Sequence, residues 1–332
     1  MTNYLSNKFR WLSLIATWAV VCIHSRTDRW AVGVDDYASR IEAHVADLFY
    51  FAVPFFFVVS GYMFVHSYEK YGWGGLVRRK FRSLYLPMVI WGIIGMVFCL
   101  PIRMYSNHDI PTIFDICKLP LTMFRSESVH FWYIRALVVW FAVAPLAVFV
   151  ASRTWLSGLV MIAALLTPGD SLMAQLHVPV AVVFFLLGVQ LVRIENDRLS
   201  RWRGNIVGLF VCLLGLILAF LFKERVTEHY FSVLLEPLFM IGVLWFGYDV
   251  VNVKFHIGKF PDRLNVLFFV YCMHLILLCW CGGIMRVMFG NSSLSRLCGY
   301  FLLWLTFWID LLIANAIRRK FPCIYEVLAG GR

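Results

Sequence analysis

Histidine and arginine side chains interrupt several long apolar stretches of the chain, where polar groups are costly. His24 ends the first such stretch, His274 lies well inside a later one, and Arg135 lies about one helical turn inside another. A charge at the centre of a bilayer costs about 2.5–3.5 kcal/mol on insertion scales, so each such side chain invites a functional interpretation. An imidazole can take a proton from a hydroxyl nucleophile, and a guanidinium can hold a phosphate or a developing oxyanion. The combination favours acyl or phosphoryl transfer.

Arg10 and His24 bracket the first apolar stretch. In a helix, fourteen residues place them roughly 21 Å apart and within roughly 40° of the same face. One helix would then present a cation near one membrane surface and an imidazole near the other. The alternative is that Arg10 is a topological anchor and His24 an interfacial residue.

Two further segments carry polar groups toward the predicted bundle. His130, Trp132 and Tyr133 open the fourth apolar stretch, where aromatic residues are expected at a membrane interface in any case. Tyr271 and His274 lie three residues apart, on one face of a predicted helix. Arg135 would face a polar cavity or snorkel outward. A lone buried histidine is more often structural than catalytic.

A small-residue pair and a basic run lie on the predicted inner half. Ser60-Gly61 permits a kink, a close helix approach or a backbone-lined cavity, and packing alone is the more common explanation. The run containing Arg78, Arg79 and Arg82 could hold an anionic ligand, and a topological anchor explains it almost as well.

The elements that must position these residues are membrane-spanning helices. Of 332 residues, 61% are hydrophobic and 15% charged, which excludes a disordered chain and an ordinary cytosolic enzyme. The apolar runs predict an all-α, polytopic bundle of about ten spans. They lie at about 11–25, 47–66, 84–102, 131–151, 155–168, 177–193, 204–222, 231–248, 265–284 and 298–316.

The basic residues orient this bundle. With the N-terminus inside, 19 of the 30 lysines and arginines fall on inner segments, 10 on outer ones, and Arg135 within a span. This bias predicts both termini in the cytoplasm and the loop containing Lys118 outside. We expect one transmembrane domain over residues 1–332 with no appended soluble domain. We attribute the net charge of +11 to the basic residues that orient the chain in the membrane, and not to binding of nucleic acid.

Other chemistries have less support. The nine cysteines form no zinc-site pattern, and the histidines lie on different spans without companion ligands, so no metal site is expected. Acidic residues are nearly absent from the spans, with Asp47 and Asp310 near span ends. This weakly opposes a transporter coupled through intramembrane carboxylates.

Five stretches resemble the acyltransferase 3 family of polytopic membrane acyltransferases, in the family's order and at comparable spacing. They are LIATWAVVCIHS in the 13–25 region, PFFFVVSGYMF (54–64), VRRKFRSLYLP (77–87), HFWYIRALVVWFAVAP (130–145) and VYCMHLILL (270–278). The family's ten-helix architecture agrees with the count of apolar runs. In one departure, Ser13 stands where the family usually has an arginine, and Arg10, Arg135 or Arg82 could supply the cation instead.

The resemblance implies an O-acyltransferase of the bacterial cytoplasmic membrane. It implies cytoplasmic acyl-CoA, commonly acetyl-CoA, as co-substrate rather than a permanently bound cofactor, and a carbohydrate or glycolipid hydroxyl as acceptor.

We expect the site residues to divide by role. His24 is the general base or acyl carrier, with Arg10 and His130 in the catalytic group. The donor would be bound through Ser60, Gly61, Arg78, Arg79 and Arg82, and the acceptor through Trp132, Tyr133, Arg135, Tyr271 and His274.

Two alternatives remain open. An exporter or flippase of a glycan or lipid-linked intermediate would also need a polar bundle interior. An unrelated membrane-bound O-acyltransferase would use the same imidazole chemistry but would not predict this motif order.

Overall fold

The computed structural model is helical throughout its regular elements, which confirms the all-α prediction. It describes residues 3–27, 37–105, 112, 129–168, 171–193, 205–222, 230–289 and 292–331. Lys118, which the topology prediction places outside, lies beyond these ranges.

The helices follow one another closely along the chain. In order they are α1 (Asn3–His24), α2 (Tyr37–Asp47), α3 (Ala52–Lys80), a π-helical turn (Phe81–Tyr85), α4 (Leu86–Tyr105), a 3₁₀ turn (Val129–Phe131), α5 (Trp132–Ala142), α6 (Ala144–Ser152), α7 (Thr154–Leu165), α8 (Leu172–Gln175), α9 (Val178–Leu191), α10 (Ile206–Phe222), α11 (Tyr230–Phe255), a second 3₁₀ turn (Asp262–Leu264), α12 (Leu267–Phe289), α13 (Ser293–Leu303), α14 (Thr306–Lys320) and α15 (Pro322–Leu328).

The chain forms two compact units. The first comprises Met1–Ala16, Phe51–Val77 and Val139–Pro261, and the second comprises Thr17–Tyr50, Arg78–Val138 and Asp262–Arg332. Each draws on several separate segments, and a single domain over residues 1–332 stays a prediction.

The first unit is organised around close helix crossings. α3 and α9 approach so closely that a Cβ atom added to Gly188 would lie 2.0 Å from the Val58 carbonyl oxygen. α10 packs along α11, where the Phe239 and Phe246 rings cover Gly215 and Gly208. Small residues allow this because helix backbones can approach only where side chains are absent.

The second unit is built around α12. This helix packs against α4, α13 and α14, while α13 packs on α2 and α15 packs on α14. Aromatic rings fill the contacts: Trp91 of α4 meets Phe269 of α12 at 4.9 Å, and Tyr325 of α15 stacks on Phe269 at 5.4 Å. α12 is therefore the scaffold for side chains from the surrounding helices.

Four stretches of the described residues are long and apolar enough to cross a membrane. They are Tyr37–Cys99, Leu234–Phe255, Leu267–Met288 and Ser293–Lys320, with a fifth if the bent pair α5 and α6 counts as one span. Helices α7 and α9 and the stretch Ile206–Leu221 are apolar but shorter, with 10–17 residues. Several long apolar helices fit a membrane bundle, and the count of about ten spans and the side of the termini stay predictions.

Three helix breaks differ from the continuous spans expected. α3 is kinked at Gly72, which has a φ of 61°, and not at Ser60-Gly61. The fourth span bends by 78° between α5 and α6, because Pro145 in the first turn of α6 lacks an N–H group and its ring clashes with the preceding turn. The last span is divided between α13 and α14 at Trp304 and Leu305.

Candidate functional site

Three histidines from separate elements meet in the second unit. His24 is the last residue of α1, His130 lies in the 3₁₀ turn before α5, and His274 lies in α12. The ring centroids of His24 and His274 are 5.3 Å apart, and those of His130 and His274 are 5.2 Å apart. His274 is fully buried, His130 is buried and His24 is half-buried. We call these residues the histidine cluster.

A backbone contact fixes the proton on His274. Its Nδ1 lies 2.7 Å from the Tyr271 carbonyl oxygen. Because a carbonyl oxygen only accepts, Nδ1 must donate, which leaves the Nε2 lone pair of the neutral ring available. Nε2 is buried and has no hydrogen-bond partner among the described residues. His274 is therefore ready to accept a proton or a hydrogen bond.

Tyrosine side chains join the cluster to α5. The Tyr271 hydroxyl donates to the His130 carbonyl oxygen, which ties α12 to the 3₁₀ turn. The Tyr133 ring stands edge-on to Tyr271, with centroids 6.1 Å apart. The Arg135 guanidinium lies within electrostatic range of His130 and Tyr271. The structure thus brings together His24, His130, Tyr133, Tyr271, His274 and Arg135.

The end of α1 is held by a buried polar network. The Glu42 carboxylate of α2 accepts hydrogen bonds from the Thr27 backbone N–H at 2.7 Å and from the Thr27 hydroxyl at 2.6 Å. Arg296 of α13 donates to the Thr27 hydroxyl at 3.3 Å and to the Ser39 hydroxyl at 2.8 Å. Since Thr27 follows His24 by three residues, this network limits where the His24 ring can lie.

The basic run occupies a different environment. Arg78 and Arg79 lie in the last turn of α3, and Arg82 lies in the π-helical turn; all three are exposed, unlike the three histidines. π-helical turns occur frequently at functional sites. The chain after α15 covers this turn, where a Cβ atom on Gly330 would lie 2.3 Å from the Ser83 carbonyl oxygen.

Arg10, Ser60 and Gly61 belong to the first unit. Arg10 is exposed. A Cβ atom on Gly61 would lie 2.1 Å from the Phe185 carbonyl oxygen, so Gly61 lets α3 and α9 touch. Of the uses proposed for Ser60-Gly61, the observed geometry is the close helix approach.

The α1 cation that the structure buries is Lys8, not Arg10. Lys8 Nζ lies 2.7 Å from Asp249 Oδ1, with both side chains fully buried, and 3.5 Å from the centroid of the Trp245 ring. Asp249 also accepts from the Tyr4 hydroxyl. This pair holds the start of α1 against the end of α11. Nothing in the local sequence around Lys8 distinguishes it from an exposed anchor.

The interior contains more acidic groups than the sequence suggested. Glu42, Asp249 and Asp310 are all fully buried. Asp310 lies in α14, ten residues before the end of the stretch Ser293–Lys320, and its place near a span end stays a prediction. Neither carboxylate oxygen of Asp310 has a hydrogen-bond partner in the part of the chain that is described.

Within the described ranges, no three histidine, cysteine, aspartate or glutamate side chains are arranged so that they could hold a metal ion. The side chains that the structure brings together carry imidazole, phenol and guanidinium groups.

Comparison with known protein families gives the class of the molecule. Residues 7–309 match the family described as an acyltransferase domain, which includes every residue of the histidine cluster. The chain therefore belongs to the acyltransferase 3 family, as its motifs indicated. Membership and the long apolar helices together indicate an integral membrane acyltransferase. No curated protein and no solved structure matches the chain.

Proposed function

We propose that the protein transfers an acyl group, with acetyl as the first candidate, from cytoplasmic acyl-CoA to a hydroxyl of a carbohydrate or glycolipid. The observation that supports this is the contact among His24, His130 and His274, within the family's matched region. Acyl transfer to a hydroxyl needs a base for the hydroxyl proton and a group that stabilises the oxyanion. The histidine cluster offers both, because a neutral imidazole carries one nitrogen that accepts a proton and one N–H group that can donate to the oxyanion.

The reaction needs no group beyond these side chains and the two substrates. The acceptor oxygen attacks the thioester carbonyl carbon while His24 takes the hydroxyl proton, giving a tetrahedral intermediate with an oxyanion. The C–S bond then breaks, and the coenzyme thiolate takes the proton back from His24. The products are an ester and free coenzyme A. His274 and His130 position the His24 ring.

His24 could instead carry the acyl group itself. Its imidazole nitrogen would attack the thioester, release coenzyme A and then pass the acyl group to the acceptor. The two routes differ in one product. Only the carrier route leaves labelled acyl group on the protein when the acceptor is withheld.

Donor and acceptor would approach from opposite sides. Arg78, Arg79 and Arg82 suit the coenzyme's phosphates, because guanidinium groups pair with phosphate in a bidentate manner. Trp132 and Tyr133 suit the face of a sugar, since aromatic rings pack on apolar surfaces while keeping a polar edge. This assignment uses the topology with both termini cytoplasmic in the bacterial cytoplasmic membrane.

The test is transfer of labelled acetyl from acetyl-CoA by purified protein in vesicles that contain bacterial glycolipids. His24→Ala should lower the transfer rate by about 10²-fold or more, the usual loss when a general base is removed. His66→Ala is the matched control: His66 lies in α3 of the first unit and contacts the Tyr62 carbonyl oxygen at 3.3 Å.

Three outcomes distinguish the acyltransferase proposal from its alternatives. Loss in His24→Ala with normal transfer in His66→Ala supports the proposal. Full activity in His24→Ala would remove His24 from the chemistry. Glycan movement across the vesicle without ester formation would favour the exporter.

A further inference from the structure

Arg135 is a half-buried cation for which the described residues show no ion pair. Its Nη1 atom is buried and has no hydrogen-bond partner among the described residues. Lys8, a fully buried cation of the other unit, is by contrast paired with Asp249. Buried charges are normally paired, because desolvating an isolated charge is costly.

Two described groups near Arg135 leave its charge uncompensated. They are Tyr271 and His130, and neither side chain is negative at neutral pH. The buried carboxylate on α2, Glu42, is engaged by the Thr27 backbone and hydroxyl. Arg296, by contrast, is buried and donates to Thr27 and Ser39. Arg296 and Arg135 therefore differ: Arg296 donates to hydroxyl groups of the protein, while Arg135 has a buried Nη1 atom without a partner in the described part of the chain.

We propose that Arg135 binds an anionic group, a carboxylate or a phosphate, carried by the acceptor. The acceptor is then an acidic sugar or a phosphorylated glycolipid, and its reacting hydroxyl lies beside the histidine cluster. Guanidinium suits both anions because its planar donors pair with two oxygens at once. The assignment to the acceptor rests on the proposed function and on the predicted topology, which places the His130 end of α5 outside.

Binding is tested without any need for catalysis. The thermal unfolding midpoint of detergent-purified protein is measured in buffer free of carboxylates and phosphates, then with glucuronate, inorganic phosphate, coenzyme A or neutral glucose. Wild type should be stabilised by glucuronate or phosphate and not by glucose. Arg135→Met should lose this response and should be at least as stable as wild type without added anion, because it removes a buried Nη1 donor that has no partner among the described residues.

Arg296→Met is the matched control. It should lower the midpoint, since it removes hydrogen bonds made in the folded protein, yet keep the response to glucuronate. If Arg135→Met instead lowers the midpoint and wild type ignores all the anions, Arg135 is structural and the proposal is wrong. If coenzyme A alone stabilises wild type through Arg135, the anion belongs to the donor and the acceptor assignment is overturned.

A transfer assay separates this inference from the proposed function. Matched glucuronide and glucoside acceptors with labelled acetyl-CoA should differ by about tenfold or more in kcat/KM, the effect expected of one charge-assisted hydrogen bond. Arg135→Met should remove that preference. If wild type uses both acceptors equally, the proposal that the acceptor is anionic is wrong. If wild type transfers acetyl to neither acceptor but still shows the Arg135-dependent response to anions, the anion site is supported and the acyltransferase proposal is contradicted.

Discussion

At the residue scale, two buried aspartates occupy opposite situations. Asp249 accepts hydrogen bonds from Lys8 and Tyr4 and is part of a fully buried ion pair. Asp310 is equally buried, but its oxygens lack a partner in the described ranges. A paired charge and an unsatisfied carboxylate should respond differently to the same substitution.

We predict that Asp249→Asn and Asp310→Asn shift stability in different directions. Asp249→Asn leaves Lys8 buried without its counter-charge, a change that costs about 3–5 kcal/mol in comparable buried pairs. Asp310→Asn keeps the side-chain shape and removes the desolvation cost of a carboxylate. Thermal unfolding of purified protein should therefore show a lower midpoint for the first variant and an unchanged or higher midpoint for the second.

The control for this comparison is the double variant Lys8→Met with Asp249→Asn, which removes both charges. It should recover much of the stability lost in Asp249→Asn. A large drop in the midpoint of Asp310→Asn would mean that its carboxylate is bound by groups beyond the described ranges.

The residue types predicted which side chains belong to the site better than they predicted which of these side chains contact one another. His24, His130 and His274 are conspicuous as imidazoles in or at the ends of apolar stretches, so hydropathy alone identifies them. Their contact depends on how α12 packs against the end of α1, which no spacing within one helix encodes. The network around Glu42 could not be recognised either, because Arg296, which donates to the Thr27 hydroxyl that Glu42 also binds, is 269 residues from Thr27 along the chain.

At the element scale, apolar runs predicted where helices occur but not where they break. A hydropathy window averages over about 20 residues, so the kink at Gly72 and the division at Trp304 and Leu305 do not alter it. Pro145 was a visible signal for the 78° bend between α5 and α6. Helix existence follows from composition, whereas helix direction follows from a few backbone positions.

We predict that Gly61 supports helix packing rather than donor binding. Gly61→Ala would place Cβ 2.1 Å from the Phe185 carbonyl oxygen, which neither α3 nor α9 can accommodate without moving apart. The variant should show a lower unfolding midpoint, with an unchanged KM for acetyl-CoA in the protein that remains folded. Both quantities are measured on the same purified sample.

Gly158→Ala is the matched control in the same unit. No atom lies within 4 Å of a Cβ atom built there, in helix α7. Alanine should leave the midpoint unchanged or raise it slightly, because alanine is favoured over glycine in a helix by up to about 1 kcal/mol. A raised KM for acetyl-CoA in Gly61→Ala without loss of stability would instead return Gly61 to the donor site.

At the scale of the whole molecule, the basic residues and the long helices bear on different questions. The excess of lysine and arginine on predicted inner segments indicates orientation, and it does so without any knowledge of packing. The length and apolar character of the helices indicate which stretches can cross the membrane. Ser293–Lys320 combines the two, because it is long, apolar and bordered by three consecutive basic residues at one end, Arg318, Arg319 and Lys320.

This stretch carries a direct prediction of topology. Its 28 residues extend about 42 Å as helix, more than the roughly 30 Å of hydrocarbon, even with the division between α13 and α14. Its ends should therefore lie on opposite sides of the membrane.

In a background without other cysteines, Ser293→Cys should react with a membrane-impermeant maleimide in intact cells, whereas native Cys323 in α15 should react only in inside-out vesicles. Both positions are exposed in the folded protein, so access depends on the membrane rather than on burial. Reaction of both from the same side would mean that the stretch does not cross, and the reverse pattern would keep the crossing while inverting the orientation derived from the basic residues.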